Sequence, residues 1–187
     1  MADFELSRNR DAYHVIRGFR YQIDLTILRW LDLKPQERLE LENGEDIDLV
    51  SGSIKDSDNK LRRTLEQVKH RNRPLTLRSE ESVSAIANAV EHSQQNPEIK
   101  ILFRFSTNAD PVAERRSPFD DRTPAITVWQ GLCQGTITEA ETTRRLRGIR
   151  SILIHTACMF LISLLDLADH VHKMCYTLSG GTSLPSP

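Results

Sequence analysis

The period of the apolar positions changes along the chain and marks out its elements. Across residues 11–33, Tyr13, Ile16, Phe19, Ile23, Ile27, Trp30 and Leu31 recur at intervals of three and four, the spacing of one face of an α-helix. Pro35 stops this helix. Gly18 lies inside it at a cost of about 1 kcal/mol relative to Ala, so it marks a break or a close approach of another backbone. Residues 37–42 then alternate, with Leu39 and Leu41 on one side, as a half-buried strand does. Asn43-Gly44 marks a turn. Alternation resumes over 46–51, where Ile47 and Leu49 oppose Asp46 and Asp48. A polar loop over 53–60 leads to a third strand at 65–70. Ser79 has the chemistry of an N-cap, with Glu80 and Glu81 in the first turn where the helix dipole favours acidic groups. The stripe Val83, Ile86, Ala87 and Val90 continues this second helix until Asn96-Pro97. The apolar run 99–106 is the candidate for the centre of the sheet. The order helix, strand, strand, strand, helix, strand predicts an α/β core, a central mixed sheet flanked by helices.

Beyond it the pattern weakens. Residues 108–127, with Pro111, Pro118 and Pro124, form a polar connection long enough to be a functional or variable insertion. Thr138 and Glu141 have capping-box spacing for a helix over 138–150, and 151–155 has the composition of one more strand. Residues 159–167 are dense in Leu and Ile, and 179–187 form a Gly/Ser/Pro tail of linker composition.

The 187 residues, 39% hydrophobic and 27% charged, have the balance of a soluble globular chain of one domain plus an appendage. The net charge of -1 gives no overall support to nucleic-acid binding, but the charges are segregated. An acidic run holds Glu37, Glu40, Glu42, Glu45, Asp46 and Asp48; a basic run holds Lys60, Arg62, Arg63, Lys69, His70, Arg71, Arg73 and Arg78. Such strips suit a metal site beside a phosphate track, although charge runs in general are more often solvated faces. Cys133, Cys158 and Cys175 are odd in number and widely spaced, which argues against a disulfide framework and for a reducing cytoplasm. The first ten residues carry no apolar signal segment, and the most apolar stretch, 157–165, is too short to span a bilayer. No membrane is expected.

The chemistry concentrates on two adjacent predicted strands, Glu45-Asp46-Ile47-Asp48 and Glu66-Gln67-Val68-Lys69-His70. Alternation places Asp46 and Asp48 on one face and Gln67 and Lys69 on one face, with Ile47, Leu49 and Val68 turned away. Carboxylate and amide oxygens that meet a lysine suit phosphodiester hydrolysis. The oxygens hold Mg²⁺ (or Mn²⁺), the metal acidifies a water, and the lysine orients or activates it. The plain alternative is a polar sheet face on which Asp46 and Lys69 form a surface ion pair of 0 to about 1 kcal/mol. Weaker candidates lie elsewhere. Asp169, His170, His172 and Cys175 have metal-ligand chemistry at a spacing wrong for one helix face. Cys133 has no neighbouring base in sequence. Arg144, Arg145, Arg147 and Arg150 form a cluster that suits phosphates or solvent.

Asp46, followed at an interval by Gln67-Val68-Lys69, resembles the Asp … (Asp/Glu/Gln)-x-Lys signature of the PD-(D/E)XK nuclease superfamily. Gly18-Phe19-Arg20-Tyr21-Gln22, with Glu40 and Glu42 before the Asp strand and Thr107-Asn108 closing the apolar strand, is similar to the Mrr-like branch found at the N-terminus of bacterial antiphage defence effectors. The resemblance covers about residues 12–108. It implies a restriction-endonuclease-like fold and a metal-dependent endonuclease acting on double-stranded DNA with low sequence specificity. By the same resemblance Asp46 is the metal-binding aspartate, Gln67 stands where Asp or Glu is usual, Lys69 is the catalytic lysine and Gln22 an accessory group. The charge that glutamine lacks would come from Glu42, Asp48 or phosphate. His70, Arg71 and Arg73 would contact DNA. The resemblance further implies a homo-oligomer and a C-terminal sensor region beyond this chain, with 1–156 the nuclease domain and 157–187 a helical appendage and tail. A silent DNA-binding module of the same fold, or an adaptor docking through 159–167, is the alternative.

Overall fold

A computed structural model describes residues 12–55, 61–154 and 174–178. Chain order gives α1 (Tyr13–Leu31), β1 (Glu37–Leu41), β2 (Ile47–Lys55), β3 (Leu61–Lys69), α2 (Glu80–Gln95), β4 (Ile99–Thr107), α3 (Ala125–Gln134), α4 (Glu139–Leu153) and β5 (Met174–Leu178). The five strands form one mixed sheet in the order β1-β2-β3-β4-β5. The pairs β1–β2 and β2–β3 are antiparallel, and β3–β4 and β4–β5 are parallel. The protein is an α/β fold with helices on both faces of the sheet.

The two faces differ in what they bury. On one, α2, α3 and α4 cover Leu65, Ile101, Phe103 and Phe105, with Trp129, Ile149, Ile152 and Leu153 fully enclosed. On the other, α1 covers a small cluster of Ile47, Val68 and partly buried Leu39, through Leu25 and a half-buried Tyr21. The face α1 turns to the sheet carries Gly18, Tyr21, Gln22, Leu25 and Arg29, whereas Ile16, Phe19, Ile23, Ile27 and Trp30 are exposed. The apolar stripe that defines this helix in sequence therefore points outward.

Several expectations are corrected. β2 runs on to Lys55, into the expected loop 53–60, of which residues 56–60 lie outside the described residues, and β3 starts at Leu61 rather than at 65. The middle strand is β3, with β4 beside it. The connection after β4 ends at Pro124, where α3 begins. Ala125, Val128, Trp129 and Leu132 give α3 a buried i, i+3, i+4, i+7 stripe, and Gly135 ends it in the left-handed conformation (φ 66°) that glycine adopts without penalty. Residues 151–153 are not a strand but the last turn of α4, because Ile149, Ile152 and Leu153 continue its buried stripe. Ser79 and Thr138 are the N-cap residues of α2 and α4, as expected, but neither side chain makes the cap hydrogen bond. The Ser79 hydroxyl accepts the Thr76 amide at 3.1 Å, and Thr138 meets Glu141 through its carbonyl, which accepts the Glu141 amide at 3.0 Å. Finally, β5 pairs in parallel with β4 at the edge of the sheet, a strand that the pattern of the sequence does not mark. Residues 155–173, including the Leu/Ile-rich segment and His170 and His172, lie outside the described residues, as does the tail. No helix among the described residues is long and apolar enough to cross a membrane.

Candidate active site at the head of strands β2 and β3

β2 and β3 pair with Ile47 opposite Glu66 and Asp48 opposite Leu65. Side chains alternate along each strand, so Glu66 and Val68 face α1 while Leu65, Gln67 and Lys69 face the α2 layer. Asp46 stands at the head of β2, one residue outside the paired register, and its Oδ2 accepts the Val68 backbone N–H at 2.6 Å. This bond pins the Asp46 carboxylate to the strand that carries Gln67 and Lys69. Burial pushes the carboxyl of Asp46 above the ordinary carboxylate range, and the charges of Glu42 and Glu66 add to this against the opposing pull of the Val68 amide and Lys69.

Gln67 is buried, and its carbonyl Oε1 has no hydrogen-bond partner. A buried amide oxygen left unpaired costs about 1–3 kcal/mol, so its place beside Asp46 calls for a ligand. Oxygen donors from a carboxylate and an amide, with a lysine nearby, are the chemistry of a hard divalent cation. Asp46 and Gln67 thus fit Mg²⁺ or Mn²⁺ as donors, although no three His, Cys, Asp or Glu side chains among the described residues form a metal cluster by themselves.

Gln22 and Glu42 meet each other here: the Gln22 Nε2 donates to Glu42 Oε1 at 2.7 Å. Glu42 adopts φ 54°, a conformation uncommon for a side chain other than Gly or Asn, as the chain turns from β1 towards Asp46. Asp48 is placed differently. It is fully buried, accepts the backbone N–H groups of Gly44 at 2.7 Å and Glu45 at 3.1 Å, and is ion-paired with Arg63. Its oxygens organise the turn that carries Asp46, whereas the Asp46 carboxylate accepts the Val68 amide and feels the charge of Lys69. No known family model, curated protein or solved structure matches the chain. The site is argued from its own residues.

Glu66 turns away from Gln67, as alternation requires. Its carboxylate accepts Arg29 Nε and Nη2 at 2.7 and 2.8 Å and is also bonded by Arg104 and the Ser106 hydroxyl. Burial alone would raise the carboxyl, but the Arg29, Arg104 and Ser106 interactions hold it below the usual range.

Glu45 takes part without having been assigned a role from the sequence. Burial raises its carboxyl above the ordinary range, while Asn88 of α2 donates to it at 3.0 Å and His92 lies 3.6 Å away. Its charge and that of Asp46 interact with each other and with Lys69. Only the position of α2 joins Glu45 to Asn88, 43 residues away.

His70, Arg71 and Arg73 line a cavity of about 250 Å³ with His14 of α1, Asn72 and Glu81. His70 meets the Tyr21 ring edge-on at 5.7 Å. Arg71 is ion-paired with Glu81 at 2.8 Å, and its backbone N–H and C=O are both bonded by the Asn108 side chain, at 2.7 and 2.9 Å. Asn108, just past β4, therefore clamps the turn that carries the basic residues. Arg73 is exposed. In α4, Arg145 is bound to Asp121 at 2.7 Å and Arg144 to Glu141 at 2.9 Å, so these two members of the arginine cluster are held by neighbouring carboxylates. Cys133 packs against the core.

Proposed function

We propose that this protein is a metal-dependent endonuclease domain of the PD-(D/E)XK type, hydrolysing phosphodiester bonds of double-stranded DNA with low sequence specificity as part of a bacterial antiphage defence effector. The observation that carries the reading is the orphaned Gln67 carbonyl one strand from the pinned Asp46 carboxylate, at the strand end that also bears Lys69. The antiparallel pairing of β2 with β3 sets Asp46, at the start of β2, beside the end of β3 that carries Gln67 and Lys69. Asp46 and Gln67 would hold Mg²⁺ or Mn²⁺, with Glu42 as an additional donor. When bound, such an ion supplies an acidified water and a counter-charge for the phosphorane. Lys69 would orient that water, its ammonium group countering the charges of Asp46 and Glu45. His70 and Arg73 of the Asn108-clamped turn meet the phosphate backbone. Arg71, held by Glu81, shapes the turn.

A silent DNA-binding or protein-interaction module with the same fold is favoured by one observation: glutamine in place of the second carboxylate removes a negative charge from the metal position. The two readings separate in one experiment, nicking of supercoiled plasmid with Mg²⁺ or Mn²⁺ by the unsubstituted chain, Asp46→Ala and Lys69→Ala. Metal-dependent nicking that falls by at least about 100-fold in both variants supports the nuclease. DNA binding without nicking by the unsubstituted chain supports the silent module, and nicking that survives both substitutions rejects this site.

A further inference from the structure

The cavity of about 250 Å³ between the first turn of α1 and the turn after β3 is lined by His14, His70, Arg71, Asn72, Arg73 and Glu81. Every one of these side chains except Glu81 offers N–H donors, from imidazole, guanidinium or amide groups. Glu81 is ion-paired with Arg71 at 2.8 Å, so its charge is cancelled within the lining and the positive charge of Arg73 is left over. Asn72 Nδ2 stands 3.2 Å from His14 Nδ1; with the amide donating, the neutral ring carries its proton on Nε2, a nitrogen able to donate in turn. An enclosure rich in donors, with a surplus guanidinium and no uncancelled carboxylate, has the chemistry that receives a phosphate group. At about 30 Å³ for each water, it has room for one such group and several waters.

Two segments of chain join this cavity to the candidate active site. His70 directly follows Lys69, and Tyr21, whose ring the His70 ring meets edge-on at 5.7 Å, directly precedes Gln22. Gln22 is bonded to Glu42. His14, four positions before Gly18, continues the face that α1 turns to the sheet, and carries it past the end of β3 to the turn. It lies eight positions before Gln22, about 12 Å along the helix axis. Each strand of a duplex advances about 3.4 Å per phosphate, so a strand whose scissile phosphate lies at Lys69 presents another to the cavity within about four nucleotides.

We propose that this cavity is a phosphate subsite, taking one phosphate group of the DNA strand a few nucleotides from the scissile position, with His14 and Asn72 as ligands beside His70 and Arg73. Arg71 acts through Glu81 and positions the turn. The subsite rests on the nuclease reading only in taking DNA as the source of the phosphate.

Imidazole NMR signals of the full chain test it, recorded in EDTA so that neither metal nor cleavage enters, with thymidine 5′-monophosphate, thymidylyl-thymidine and thymidine as probes. The His14 and His70 signals are expected to shift together and saturably with the two phosphate-bearing probes and not with thymidine, while His92, beside Glu45, stays in place. His14→Ala, at an exposed position where alanine favours helix, keeps the fold and weakens the binding read at His70 by about tenfold. Arg73→Ala, also at an exposed position, does the same. Tighter binding of the dinucleotide assigns the subsite to an internal phosphodiester of a continuous strand, and tighter binding of the monophosphate assigns it to a strand end. Equal shifts with thymidine, His14 and His70 responding at different probe concentrations, or unchanged affinity in either variant overturns the proposal. A chain that binds the probes in this way without nicking plasmid loses the nuclease reading and keeps the subsite; a chain that nicks without the paired shift loses the subsite alone.

Discussion

Burial favours the neutral form of both Asp46 and Glu45 and raises each carboxyl above its ordinary range. A carboxyl raised in the folded protein destabilises the fold as pH rises through its folded value, and has no such effect below its unfolded range, near about 4. Asp46→Asn is therefore expected to raise the thermal midpoint at neutral pH and to lose that advantage in acid, while abolishing metal-dependent nicking. Calorimetry at the two pH values checks the first part. Gln67→Glu supplies the missing charge and is expected to tighten Mn²⁺ binding by roughly tenfold in titration calorimetry; unchanged affinity would remove Gln67 from the metal position. The residue types and their alternation were legible in the sequence, since Gln67 and Lys69 stand on, and Asp46 immediately before, strands that pattern alone predicts. The roles of Asp48 and Glu45 were not. Both are acidic residues on the same short run, and only the packing of Arg63 against one and of Asn88 against the other distinguishes them.

Among the elements, α1 makes its firmest polar contact through Arg29, which holds the buried Glu66 of β3. Glu66→Ala leaves Arg29 and Arg104 facing a pocket without a counter-charge, and is expected to lower stability by about 3 kcal/mol in urea unfolding. The Glu66 carboxyl is held low, so its contribution is fully present above its unfolded range, near about 4.3, and is lost as pH falls through the lower folded value. α4 is fitted differently: a methyl group on Gly148 would lie 2.3 Å from Cε1 of Phe119. Gly148→Ala gains helix propensity yet is expected to destabilise by about 1–3 kcal/mol, because the ring in the packed core must move. α3 was hidden in the sequence by the proline-containing connection before it, although its stripe has helical period. Buried Glu114 ties that connection down, accepting the backbone N–H groups of Leu77 at 3.0 Å and Ala125 at 3.3 Å.

At the scale of the whole molecule, the sheet separates a thick apolar layer under α2, α3 and α4 from a thin one under α1, and the candidate site lies at the strand ends between them. β5 completes the sheet beside β4. Deleting residues 157–187 would leave β4 as an open edge with apolar Ile101, Phe103 and Phe105 on it, so the shortened chain is expected to melt earlier and to scatter light on standing. A true appendage would be removed without either effect. By itself the sequence determined the α/β class, the order of the first six elements and the alternation that separates Glu66 from Gln67, because period and turn chemistry are local properties of the chain. Tertiary structure decided the rest: that the apolar stripe of α1 faces outward, that residues 151–153 finish a helix, that Asn108 holds the turn after β3, and that β5 belongs to the sheet. Each depends on which distant surface an element meets, and hydrophobic period alone defines a face without saying what will cover it.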